Sequence, residues 1–307
     1  MKISIQTGDI VDRLGLEDGY AAIKAVGFEA IDWNLDHAWK GSVMRKGDFE
    51  GKCILDKSLD EVIKNYDYEL NLIKKYGLEI TQAHAPFPAY FSEQPKFLDY
   101  AIKCYKRLIE YCDYAGCKNL VIHGVSCRLD DEIDQKKVDR LNKKLYTSLI
   151  PTLVKTNVTV CLENLFSSHN GVCYQGHCSY PEKAKKEIDS LNRLAGKECF
   201  GFCLDTGHAN LLHHDMRSFI LTLGDRIKCL HIHDNNGQGD QHMGPLTGTV
   251  DWSIFCDAMK EIGYKNDLSF ETFHQTNIAM DFDFDMLVPW MELIYKTGAC
   301  FRKRIEK

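Results

Sequence analysis

Short apolar runs alternate with longer segments of helical spacing from one end of the chain to the other. The runs are "KISIQ" (2–6), "AIDWNL" (30–35), "LEITQAHA" (78–85), "NLVIHG" (119–124), "VTVCLENL" (158–165), "FGFCLDT" (200–206), "IKCLHIHD" (227–234) and "LSFETF" (268–273). Each reads as a strand. Between them, "DEVIKNYDYELNLIKKYG" and "FLDYAIKCYKRLIEYCDYAG" carry apolar residues at helical spacing and stop at Gly77 and Gly116, where helices often end. Eight strands alternating with helices predict an α/β fold, a (β/α)8 TIM barrel in a single domain spanning 1–307. A doubly wound open sheet alternates in the same way, but no glycine-rich GxGxxG follows the first strand. The polar, glycine-bearing stretch 36–57, "DHAWKGSVMRKGDFEGKCILDK", reads as a loop insertion after strand two and a candidate lid.

Composition narrows the function classes. The chain has 307 residues, 44% hydrophobic and 27% charged, which is ordinary for a globular protein. Its formal net charge of −6 provides no general attraction to nucleic acid or to an anionic membrane. The start, "MKISIQTGDI", lacks an apolar signal-peptide core, and no run of about 18 apolar residues could span a bilayer, so a cytoplasmic protein is expected. The 13 cysteines are odd in number and contain no CxxC, so they read as reduced, mostly buried thiols. Oligomeric state is open, and a homo-oligomer is compatible with everything above.

The ends of the runs bring in the chemistry. In a barrel, active-site groups sit at the C-terminal ends of strands. Strands three to eight end in His84, His123, Glu163, Asp205, His231 and Glu271, each able to bind a metal. Buried imidazoles and carboxylates are costly unless paired or coordinated, so six at equivalent positions point to a shared ligand. The residues two before them, Gln82, Val121, Cys161, Cys203, Cys229 and Ser269, share their inward face and suit a narrow interior. Mixed histidine and carboxylate donors point to Zn²⁺, Mn²⁺ or a similar divalent ion. His231 and His233 share parity, and Asp234 is expected to orient an imidazole. His208, Asp240 and His242 add a further possible metal site or a grip on substrate oxygens.

The motifs "HAPF", "VIHG", "LEN", "LDTGH", "HIHDN", "DQHMGPLTGTVDW" and "FETF" span residues 84 to 273 and together resemble the xylose-isomerase-like superfamily. That superfamily joins sugar isomerases and epimerases to the endonuclease IV family. The resemblance to its ketose 3-epimerases implies one ion held by Glu163, Asp205, His231 and Glu271, with His231 preferred to His233 because Asp234 follows it at the family spacing. Resemblance to endonuclease IV adds His84, His123, His208, Asp240 and His242 as ligands of further ions. "LENLFSSHNG" and "DTGHANLLHH" depart from that endonuclease, and the acidic net charge fits a DNA-gripping enzyme poorly. The resemblance therefore implies a metal-dependent isomerase or epimerase of a sugar, sugar phosphate or cyclitol. Glu163 and Glu271 would move the proton, and His208, His84 and His123 would bind substrate. An endonuclease IV-like phosphodiesterase, or a lyase or dehydratase on the same metal cup, is the alternative.

Overall fold

The computed structural model describes residues 1–126, 134–273 and 284–307. The eight apolar runs form eight strands: β1 (Ile3–Gln6), β2 (Ala30–Asn34), β3 (Glu79–His84), β4 (Asn119–Val121), β5 (Thr159–Glu163), β6 (Phe200–Asp205), β7 (Ile227–His231) and β8 (Leu268–Phe270). They belong to one sheet in the order β8-β1-β2-β3-β4-β5-β6-β7. The pairs β1/β8, β1/β2, β3/β4, β4/β5 and β6/β7 are parallel. Beyond the end of β7, Ile232 bridges Phe270 in parallel; its N–H reaches Ser269 O at 2.8 Å and its carbonyl accepts from Glu271 N–H at 3.1 Å. The two end strands of the order thus meet, as the sheet of a (β/α)8 barrel requires.

Helices separate the strands because the intervening segments bury one stripe and solvate the other. In Phe97–Ala115, for example, Phe97, Ala101, Cys104, Tyr105, Leu108, Ile109 and Cys112 are buried, three or four residues apart. Gly116 ends that helix at φ 81°, a left-handed conformation that costs glycine little. Strands β1 and β6 are buried at every position, as expected where helices cover a parallel sheet. A small antiparallel hairpin, Phe166–His169 with Val172–Gln175, extends from β5 and was not expected from the pattern.

Contacts group the chain into two compact units. The first comprises Met1–Trp33, Asn71–Thr81 and Phe202–Lys307. Its core gathers around Phe301, whose ring lies 5.1 Å from Trp252 and 6.4 Å from Phe270. The C-terminal helix Leu287–Glu306 approaches β1 and β8 through Gly298, where a Cβ would stand 2.8 Å from both Ile3 and Phe270. The second unit comprises Asn34–Leu70 and Gln82–Gly201. In it the stretch 36–57 carries short helical turns at Asp36–Ala38, Gly41–Met44 and Ile54–Asp56. Trp39 and Phe49 from this stretch set their rings 5.5 and 5.4 Å from Phe97. Ten of the twelve described cysteines are buried, with Cys173 partly covered and Cys300 exposed.

Candidate metal centre

The six residues expected at strand ends lie at or just past the C-terminal ends of their strands, while His208 stands in the short helix after β6 and Asp240 and His242 in the loop after β7. His84, Glu163, Asp205 and His231 end β3, β5, β6 and β7; His123 follows β4 by two residues and Glu271 follows β8 directly. The inward positions beneath them, Gln82, Val121, Cys161, Cys203, Cys229 and Ser269, are all buried.

In the second unit, three ligand atoms converge. His84 Nδ1–H donates to the carbonyl of Ala85 at 2.8 Å, which leaves its Nε2 with a lone pair. That nitrogen is 3.0 Å from His123 Nε2, which in turn is 3.0 Å from Glu163 Oε2. His84 Nε2 and Glu163 Oε2 are 3.9 Å apart. The Phe87 ring lies over His123, centroids 4.6 Å apart, and supplies an apolar wall.

In the first unit, a larger set converges. Asp205 caps the short helix Thr206–Leu211, Oδ1 accepting His208 N–H at 2.6 Å. His233 Nε2 lies 2.9 Å from both oxygens of Asp205. Its ring occupies space that only a glycine leaves, since a Cβ at Gly207 would stand 2.0 Å from His233 Cε1. His231 is held between two carboxylates, with Nδ1 3.4 Å from Glu271 Oε2 and Nε2 3.2 Å from Asp32 Oδ2. Asp240 Oδ2 lies 3.1 Å from His242 Nε2 and 3.5 Å from His208 Nε2, while Oδ1 is 3.9 Å from His233 Nε2.

Charge follows from this crowding. Burial alone would push the His242 pKa down, but the carboxylates of Glu271, Asp240 and Asp205 outweigh it and raise the pKa to about 9. Burial would raise the Asp240 pKa, yet His208 and His242 hold the carboxyl well below the usual carboxylate range. His242 keeps this place from a left-handed backbone, φ 46°, unusual for a residue with a Cβ.

These residues fit a divalent cation. Zinc bonds of about 2.0–2.2 Å to nitrogen and oxygen place neighbouring ligand atoms roughly 3–3.5 Å apart, close to the spacings above. Asp240 Oδ1 is buried and meets no hydrogen-bond partner among the described residues, beside three imidazoles. A donor set of nitrogen and oxygen suits Zn²⁺ or Mn²⁺.

The structure corrects one sequence expectation. The Asp234 carboxylate orients no imidazole: its Oδ1 accepts from the N–H groups of Asn235 and Val250, at 2.9 and 3.0 Å, and its Oδ2 from Trp252 Nε1 at 2.9 Å, while only its backbone carbonyl approaches His233 Nδ1, at 3.5 Å. Side chains alternate along an extended chain, so Asp234 faces away from His231 and His233. Asp32 on β2 instead sets its Oδ2 3.2 Å from His231 Nε2. Its signal in the sequence is an acid inside the apolar run "AIDWNL".

Residues 20–296 match the xylose isomerase-like TIM barrel family, and the chain belongs to that family. A ketose 3-epimerase of Arthrobacter globiformis is 37% identical over 107 residues, 34% of this chain and 33% of that protein. The solved structure of D-psicose 3-epimerase with D-tagatose from Clostridium cellulolyticum H10 has a TM-score of 0.69 at 15% identity, over 98% of this chain and 99% of that one. The IOLI protein with a bound zinc atom gives 0.65 at 17% identity, over 99% of this chain and 98% of that one. Both structures share the fold. No helix among the described residues is long and apolar enough to cross a membrane.

Proposed function

We propose that the chain is a metal-dependent sugar isomerase or epimerase, with Glu163, Asp205, His231 and Glu271 as ligands of one divalent ion. The observation that carries this reading is the buried pairing of His231 Nδ1 with Glu271 Oε2 at 3.4 Å, at the ends of β7 and β8. Similarity to a ketose 3-epimerase supports it.

A bound divalent ion supplies Lewis acidity, without which the carbon next to a carbonyl is too weak an acid to give up its proton. Glu163 and Glu271 act as the acid and base, since inverting a carbon requires that a proton leave one face and return to the other. Asp32, with Oδ2 3.2 Å from His231 Nε2, would help position the imidazole for the ion. His208, His84 and His123 bind substrate oxygens. The experiment is incubation with a panel of ketoses in D₂O. Deuterium should enter the carbon that is epimerised or isomerised, and Glu271→Gln should suppress exchange at least a hundredfold, because an amide cannot carry the proton. Full exchange in that variant refutes the proton-transfer role.

A second reading is favoured by the Asp240 group. A carboxylate shared by His208 and His242, together with the His84–His123–Glu163 triplet, offers places for further ions, as in an endonuclease IV-like phosphodiesterase. Metal-dependent cleavage of DNA with abasic sites, lost in Glu163→Ala, would establish it. Silence in both assays would favour a lyase or dehydratase on the same residues.

A further inference from the structure

The second unit holds another set of ligand-type side chains that shares no residue with the centre above. His177 and Cys178 follow the hairpin, and Glu187 projects from the helix Pro181–Ala195. His177 Nε2 lies 3.1 Å from Glu187 Oε2. Cys178 Sγ is 3.5 Å from His177 Nε2 and 3.8 Å from Glu187 Oε2. Zinc bonds of about 2.0–2.1 Å to nitrogen, 2.0–2.2 Å to oxygen and 2.3 Å to sulfur, at tetrahedral angles, separate such atoms by roughly 3.3–3.6 Å. The three observed edges bracket that range.

The local backbone is shaped to make this convergence. Neighbouring residues of an extended chain point apart, so His177 and Cys178 could not both face Glu187 from a strand. Cys178 instead adopts φ 58°, a left-handed conformation rare for a residue with a side chain, and its sulfur swings back beside the imidazole. The ring is fixed from behind. A Cβ at Gly124 would stand 2.2 Å from His177 Nδ1, and Tyr146 stacks on the imidazole at 5.7 Å. Nε2 is therefore the nitrogen with access to the other two groups.

We propose that His177, Cys178 and Glu187 form a zinc site with three protein ligands and a fourth position open to water. Glu187 retains 31% of its side-chain exposure, which provides the access path, while His177 is 8% exposed. One thiolate and one carboxylate neutralise a dication, so the occupied site buries no net charge. Thiolate, imidazole and carboxylate together select a borderline-soft ion rather than Mg²⁺ or Ca²⁺. With no ion, burial and the Glu187 carboxylate hold the Cys178 thiol well above its ordinary pKa, and the sulfur keeps its proton. The ion would tie the segment after the hairpin to the helix Pro181–Ala195.

The test uses cobalt as a spectroscopic stand-in. Metal-stripped full-length protein titrated with Co²⁺ should develop a near-ultraviolet sulfur-to-cobalt charge-transfer band. Cys178→Ser should abolish the band and lower the zinc content by one ion per chain, and Glu187→Gln should weaken binding at least tenfold. Asp205→Asn should leave the band in place, which separates this site from the proposed centre at the strand ends. Zinc should also protect Cys178 from alkylation in the wild type, read by peptide mass, so the assignment does not depend on a variant that folds. Absence of the band, its survival in Cys178→Ser, its loss in Asp205→Asn, or equal alkylation of Cys178 with and without zinc would each overturn the site and leave a His–Glu pair beside an inert thiol.

Discussion

His242 sets what the first unit's cluster accepts at neutral pH. Its pKa of about 9 means that the ion-free ring is protonated at pH 7, with Nδ1–H donating to the Glu271 carbonyl at 3.2 Å and Nε2–H directed at Asp240. Because the folded value lies above the unfolded one of about 6.5, this contact stabilises the ion-free protein fully below pH 6.5 and is lost as pH rises through 9. An ion bound through His242 must displace that proton, so its apparent affinity should rise about tenfold per pH unit between pH 7 and 9. Calorimetry across that range should show the slope in the wild type and its loss in His242→Asn. Asp205 tests the proposed first ion differently. Asp205→Asn keeps size and its cap to His208 N–H while removing a ligand charge, so elemental analysis should show that ion lost with circular dichroism unchanged. Stoichiometric metal in that variant would remove Asp205 from the ligand set.

At the scale of elements, stability rests on caps and aromatic contacts that polar patterning marks well. Asp215 caps the helix Met216–Leu223, accepting Ser218 N–H at 2.7 Å. Asp215→Ala should cost about 1 kcal/mol, measured by denaturant titration. The same hydrogen bond lowers the carboxyl's pKa, so the contribution is complete above its unfolded value of about 4 and fades as pH falls through the lower folded one. The variant should therefore show a shallower loss of stability below about pH 4. The eight strands were legible because each is a short apolar run between helical stripes, and the polar residues at their ends because an ionisable side chain closing such a run is anomalous. The hairpin was missed although Asn170-Gly171 is a turn signal; both residues have positive φ, 49° and 76°. Its flanks "FSSH" and "VCYQ" are half polar and mostly only partly buried, so they show no clear alternation. His233 was ambiguous for another reason. Parity places it inward with His231, but only the folded chain shows that Asp205 is its partner.

For the whole molecule, the proposed ion would link residues far apart in sequence, from Asp205 to Glu271. An ion at 100 times its dissociation constant would add about 2.7 kcal/mol to the folded state, provided it does not bind the unfolded chain. Thermal denaturation should show a transition that rises by a few degrees with added Zn²⁺ or Mn²⁺ and falls with a chelator; identical transitions would argue against a tightly held ion. The net charge of −6 leads us to expect no nicking of abasic DNA at catalytic enzyme concentrations. The ten cysteines buried among the described residues have a use beyond filling the interior. A thiol reagent reaches each one only when its surroundings open, so the rates at which they are modified would chart the breathing of the native state, much as amide exchange does. Cys203 and Cys229 lie two residues below Asp205 and His231. Slower modification of these two when zinc or manganese is present would show that the ion quiets the ends of β6 and β7, and would do so in a protein with no residue changed.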